Sequence, residues 1–182
     1  MIRLLGWLLA AVLLAGIVHL GTVLLLPYTA TRDSYTRLAA VADTNKMTLL
    51  AQPAPDHALL PFMDPAFATA VCRYDLAGGP LKLRTVVSQN YTSVTFYTRR
   101  GIAFYAINDR AAARRAIELD LMTPAQRALL QEDEEVTAAD RLIVESPDVT
   151  GLIVLRTLAP EPSLMPIARG VLSAATCSPQ AP

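Results

Sequence analysis

Histidine is almost missing from this chain: of 182 residues only His19 and His57 carry an imidazole. His19 lies in an apolar run, so a histidine-based metal site or a Ser-His-Asp arrangement has at most one other imidazole to draw on. An excess of either charge sign is missing too. Sixteen basic residues balance sixteen acidic ones, and with no bulk positive field a nucleic-acid partner is not expected. There is no G-x-S-x-G, no H-E-x-x-H, no phosphate loop and no dinucleotide fingerprint, which removes the common hydrolase, metalloprotease and nucleotide-binding signatures. Cysteine is limited to Cys72 and Cys177 with no C-x-x-C, so a redox-active dithiol is disfavoured. These absences predict no cofactor and no bound metal, and they place an enzymatic role second to a binding role.

What is present begins with hydrophobic content. The mean hydropathy of +0.35 is high for a soluble protein, and much of the excess sits in the first 27 residues. Leu4 to Leu26 contains no charged residue and is bounded by Arg3 on one side and by Pro27 and Arg32 on the other. At 1.5 Å per residue such a run crosses a hydrocarbon core of roughly 30 Å. Tyr28-Thr29-Ala30 is a poor cleavage site because its first residue is large, so an uncleaved signal anchor is preferred to a removed secretory peptide. Trp7 and Tyr28 fit the two interfacial belts. Flanking cations nearly tie, with Arg3 and the amino terminus on one side and Arg32 and Arg37 on the other, so charge alone leaves the orientation open.

The cysteines break the tie. Exported domains use paired thiols as staples, whereas cytosolic thiols stay reduced. Cys72 shares one face of a predicted strand with Ala68, Ala70, Tyr74 and Leu76, and Cys177 closes what reads as the last helix. A Cys72–Cys177 bridge would restrict the unfolded chain by up to about 4–5 kcal/mol. The expected location is therefore a bacterial inner membrane, single-pass, with the amino terminus cytoplasmic and the carboxy-terminal domain periplasmic.

The length suits one domain plus an anchor: an anchor over 1–27, a juxtamembrane helix or stalk and Pro-rich linker over 28–61, and an exported α+β domain over 62–182. Four prolines between Pro53 and Pro65 exclude regular structure there. Strands are predicted over Phe67–Leu76, Leu81–Ser88, Tyr91–Thr98 and Ile102–Ile107, linked by Ala-Gly-Gly-Pro and by Arg99-Arg100-Gly101 as an antiparallel meander. A helix is predicted from Asn108 or Asp109 through Met122, with Ala113, Ala116 and Ile117 on one face, and another from Thr123 with Pro124 at its first position. Arg141–Ser146 and Gly151–Leu158 read as a further hairpin whose second strand, apolar at Ile153, Val154 and Leu155, is covered on both sides. A last helix starts near Pro166. The sum is an α+β fold with a mainly antiparallel sheet of about six strands, two or three hairpins, and two or three helices beside the anchor.

Few residues suggest chemistry. Arg73, Asp75, Asn108, Asp109 and Arg110 at strand edges are the candidates for an envelope enzyme acting on a small molecule. Arg99, Arg100, Arg110, Arg114 and Arg115 form the densest cationic cluster and are candidates for holding an anion or lipid headgroups, against the plainer reading of a solvated helix face. Glu132–Glu135 reads as a hydrated loop. The bilayer and an envelope protein are the expected partners.

The stretch from Cys72 to Arg110 resembles small bacterial inner-membrane proteins in or near the domain-of-unknown-function family 1254. The resemblance is carried by Asp75, Leu76, Gly79 and Pro80, then Tyr91, Ser93 and Tyr97, then Asn108 to Arg110. It implies a β-rich envelope domain behind an anchor and brings no activity. The expected function is that of a bitopic membrane protein whose exported domain binds a ligand or a partner.

Overall fold

The computed structural model describes residues 2–29, 33–55, 58–112, 115–129 and 142–180. The chain divides into two units, Met1–Asp33 and Ser34–Pro182. The first is helix α1 (Ile2–Thr29), of which Ile2–Leu26 is long and apolar enough to cross a membrane. Its two threonine hydroxyls bond within the helix, Thr22 Oγ1 donating to the Val18 carbonyl at 2.8 Å and Thr29 Oγ1 to that of Leu25 at 3.2 Å.

The second unit is α+β, with two sheets and three short helices among the described residues. The five-stranded sheet runs β1 (Met47–Leu49), β2 (Phe67–Asp75), β8 (Thr150–Leu158), β4 (Thr92–Thr98), β5 (Ala103–Asn108), every neighbour antiparallel. The four-stranded sheet runs β7 (Leu142–Glu145), β6 (Ala116–Met122), β3 (Leu81–Val86), β9 (Thr176–Pro179), with β6 and β7 parallel and the other pairs antiparallel. Side chains alternate across each strand. Ala70, Cys72 and Tyr74 of β2, Val94 and Phe96 of β4, and Ile153 and Leu155 of β8 therefore share one core with Leu81 and Leu83 of β3 and Ile117, Leu119 and Leu121 of β6. Helix α4 (Met165–Ser173) adds Ala168 and Leu172 to that core and packs on β2 and β8. The Cys72–Cys177 disulfide joins β2 in one sheet to β9 in the other.

Several sequence expectations need correction. The two strands flanking Ala-Gly-Gly-Pro do not form a hairpin: β2 and β3 lie in different sheets, as do β7 and β8. Of the predicted hairpins, β4 and β5 pair as expected, with Gly101 at φ 81° in the turn. Residues 116–122 form a strand where a helix was predicted; only Asp109–Ala111 makes a single 3-10 turn. The alanines there favour helix, but Ile117, Leu119 and Leu121 alternate into the core, and that burial prevails. Cys177 sits on β9, after α4 has ended at Ser173. Packing also starts at Ser34, well before Phe62, since β1 pairs with β2 and Leu38 of α2 (Ser34–Ala39) is buried. The expected cap on α3 (Pro124–Ala128) is present: Thr123 accepts from the Gln126 N–H, and the Gln126 side chain accepts from the Thr123 N–H.

The amino-terminal segment is clipped to the sheet by side chains. Asn45, at φ 56°, donates from Nδ2 to the Asp75 carbonyl (2.9 Å) and accepts the Asp75 N–H on Oδ1 (2.7 Å). An asparagine tolerates that left-handed backbone better than most residues, and here its amide replaces a missing strand neighbour. Tyr35 lies between two guanidinium groups, Arg73 at 4.8 Å and Arg99 at 4.0 Å from its ring centre.

Beneath the opposite face of β2, Tyr74 is fully buried, with its hydroxyl 2.9 Å from Ser146 Oγ and 3.3 Å from the Tyr97 carbonyl. Burial pushes its phenol up to about 12; the Ser146 hydrogen bond pulls it down, and Asp148 and Tyr35 add to the rise. The folded protein therefore holds this proton more tightly than the unfolded chain. Stability is complete below pH 10, the ordinary tyrosine value, and falls as pH climbs to about 12. Comparison of urea midpoints at pH 9.5 and 12 should show a loss in the wild type that exceeds the loss in Tyr74→Phe by about 2 kcal/mol; equal losses would refute the assignment.

Candidate functional site

The described ligand candidates do not come together in one site. Arg73 and Asp75 are on β2, and Asn108 ends β5, with β8 and β4 between them. That separation is about 14 Å across the sheet, and the register aligns Asn108 with Thr69, four residues short of Arg73.

Four of the candidates have local work for their side chains. Arg73 donates to the Ala42 carbonyl at 3.0 Å while covering Tyr35. Asp75 Oδ1 accepts the Ala77 N–H at 2.9 Å. Asn108 Oδ1 accepts from the Arg110 N–H at 3.1 Å, and Asp109 Oδ1 from the Thr92 N–H at 3.3 Å. Arg115 is at φ 60° in the entry to β6, its carbonyl accepting from Val87. The arginine cluster is divided, since the six residues of β5 separate Arg99 and Arg100 from Arg110 by about 20 Å. Arg114, His57 and Glu132–Glu135 lie outside the described residues.

The concave feature lies elsewhere, on the outer face of the five-stranded sheet. Register builds that face row by row. Val71, Val154, Thr95 and Ala106 form one row; Thr69, Arg156, Ser93 and Asn108 form the next. Over the β2–β8 side of these rows fold α2 and the Pro-rich arm, which bring Leu38, Leu60 and Met63 against Val71, Leu152 and Val154. Between roof and sheet is a cavity of about 300 Å³, apolar along most of its wall, with Thr69 and Arg156 among its lining residues. A second, more open hollow of about 290 Å³ continues the face at Ser93, Thr95 and Asn108. Cross-strand pairing joins the two, because Arg156 is the partner of Ser93 and Val154 that of Thr95.

Two residues mark the mouth. Phe62 is fully exposed and held at φ 60°, a backbone region that costs a bulky residue about 1–3 kcal/mol. Arg156 is exposed and makes no hydrogen bond or ion pair among the described residues. Asp64 also borders the cavity, its Oδ1 accepting the Ala66 N–H at 2.8 Å.

Of the sequence candidates, only Asn108 borders these hollows. The missed signals were in plain sight. Leu59, Leu60, Phe62 and Met63 are too apolar for a free linker, and Arg156 interrupts the otherwise greasy Leu152–Leu158 strand on the face of Leu152 and Val154.

No family model and no curated protein matches the chain. The structure is similar to that of the VPA0106 protein from Vibrio parahaemolyticus, with a TM-score of 0.57 and 10% identity over 80% of this chain and 34% of that one. It was also matched to an uncharacterised protein from Burkholderia cenocepacia, with a TM-score of 0.47 and 10% identity over 74% of this chain and 34% of that one. The chain thus spans about a third of each of these proteins. What the Vibrio likeness establishes is a shared fold.

Proposed function

We propose that this is a bitopic inner-membrane protein whose domain from Ser34 onward faces the periplasm and acts as a ligand-binding module, with the cavity on the outer face of the five-stranded sheet as its site. The observation that carries the reading is that cavity: a preformed, mostly apolar space with a few polar groups in its wall is the usual form of a small-molecule site. Support comes from Phe62, kept in solvent at the mouth against both its backbone and its burial preference. The apolar helix and the disulfide support a membrane anchor and an oxidising compartment. The enzyme reading loses its support with the dispersal of its candidate residues, and an anion site on the arginine cluster loses its own with the division of that cluster.

The cavity is tested by filling it. Full-length protein in nanodiscs, carrying Phe62→Cys labelled with an environment-sensitive fluorophore, is titrated with hexanol as a small apolar probe. A saturable emission shift is expected, and it should vanish when Val154→Trp occupies the space. A shift that persists unchanged in that variant would reject the cavity as the site.

A further inference from the structure

Resting on that reading, the structure of the outer face points to a chemical class of ligand. We infer that the site takes a single acyl chain bearing an anionic head group, the chain lying in the cavity over Val71, Leu152 and Val154 and the head group held at the Thr69–Arg156–Ser93 row.

The argument is one of matched polarity along one line. The two hollows share the β8–β4 register, so a ligand passing from one to the other crosses from an apolar wall to a row of two hydroxyls, a guanidinium and an amide. The change occurs between adjacent rows, two residues apart on every strand, or about 7 Å. A uniformly apolar ligand would gain nothing from that polar row, and a small polar one would leave the cavity wall bare. A molecule with a greasy tail and a charged end matches both.

The sign of the charge follows from Arg156. Its guanidinium stands at the junction with no ion pair or hydrogen bond among the described residues, and its planar donors fit a carboxylate or phosphate in bidentate fashion. Thr69 and Ser93 flank it on either neighbouring strand and offer further hydroxyl donors. Asp64 also lines the cavity and keeps its negative charge while accepting the Ala66 N–H, but it lies outside the polar row, whose one charged side chain is Arg156, and a cationic head group would have to leave Arg156 unmatched.

The number of chains follows from volume. About 300 Å³ is at the lower end of ligand cavities, room for one tail rather than two. Connectivity favours an amphiphile as well. Only residues 30–33 separate α1 from α2 in sequence, so wherever α1 is inserted, bilayer-derived amphiphiles are abundant around the domain.

The experiment uses full-length protein in phosphatidylcholine nanodiscs with a photoactivatable diazirine laurate as the probe, followed by peptide mapping. Label is expected on the arm around Leu60–Met63 and on β8, with label on α1 serving as the control for lipid-dissolved probe. Unlabelled laurate and monododecyl phosphate should compete at the arm and β8, and dodecyltrimethylammonium should not. Laurate competing alone would identify a fatty carboxylate and dodecyl phosphate competing alone a lysolipid-like phosphate; either supports the inference. Arg156→Gln should reduce arm and β8 labelling about tenfold, the loss of one charge-assisted pair, while α1 labelling stays constant. Met63→Trp, on the roof and outside the sheet, should remove it.

Failure separates cleanly. If the ammonium amphiphile competes as well as laurate, or Arg156→Gln labels like the wild type, while Met63→Trp still removes the label, the anionic head group is wrong and the cavity reading stands. If Met63→Trp and Val154→Trp both label like the wild type, or label is confined to α1, the inference and the cavity reading fall together.

Discussion

Replacing Cys72 and Cys177 together with alanine lowers the stability of the folded domain by about 4 kcal/mol, the chain-entropy value for a closed loop of this length. The bridge spans 105 residues, nearly the whole of both sheets, so its removal frees most of the denatured chain. Native domains are stable by only about 5–15 kcal/mol, which makes this the largest loss expected from any pair of side chains here. The cross-link also joins the two halves of the core, β2 on one side and β9 on the other. Denaturant unfolding should be followed by tyrosine signals, because the single tryptophan, Trp7, is in α1. The midpoint should fall and the denaturant slope should rise, since an uncrosslinked denatured state exposes more surface. Reduced wild type should match the double variant. A double variant within 1 kcal/mol of the oxidised wild type would contradict the argument.

The second large effect is expected at Gly151, where the sheet leaves no room for a methyl group. A Cβ there would press into the Tyr97 carbonyl on the backbone of β4 and into the Tyr74 hydroxyl. Neither is the loose end of a flexible chain. Tyr97 is fixed by pairing with Leu152, and Tyr74 is buried and hydrogen-bonded to Ser146. Gly151→Ala should therefore cost about 3 kcal/mol, the upper end of overpacking penalties. The identity of the clash can be checked, because Tyr74→Phe removes the hydroxyl while leaving the β4 backbone in place. Adding Tyr74→Phe to Gly151→Ala should restore only part of the loss. Full restoration would mean that the backbone contact is unimportant, and a Gly151→Ala protein as stable as wild type would mean that β8 can shift to make room.

How much of this was legible before folding depends on whether the information was local. The β4–β5 hairpin was, because Arg99-Arg100-Gly101 supplies its own turn geometry. So was the cap at Thr123, which needs only Pro124 and Gln126. The central place of β8 was legible because a strand with no polar face must be covered twice, and it is: Ile153 and Leu155 face the other sheet, while Leu152 and Val154 face α2 and the arm. The disulfide was legible from the face Cys72 shares with Ala70 and Tyr74. Partner choice between strands was not. Ala-Gly-Gly-Pro permits a tight turn whether β3 folds back on β2 or crosses to another sheet, and only the whole core decides. Residues 116–122 were misread because alanine and arginine carry helical propensity up to their start, whereas the alternation of Ile117, Leu119 and Leu121 matters only once β3 is there to pair.

The candidate site was the least legible part, for the same reason. Arg156, Val71 and Met63 are 156, 71 and 63 residues into the chain by their numbering, and nothing local to any of them announces the others. The site exists because strand register and a Pro-rich arm converge. The residues that looked reactive are polar because backbone N–H groups need acceptors: Asp75 and Asn108 serve the N–H two residues on, and Asp109 that of Thr92 at the start of β4.

The order β2-β8-β4 has a consequence for the growing polypeptide. β2 and β4 appear early in synthesis, yet neither touches the other; the strand that unites them is made some fifty residues after β4 ends at Thr98. The nascent chain must hold two greasy ribbons apart, with a slot one strand wide between them, until residues 150–158 arrive to fill it. Acquisition of structure is therefore a late closing event rather than a progressive accretion, and anything that shields those waiting edges during synthesis would govern the yield of this protein.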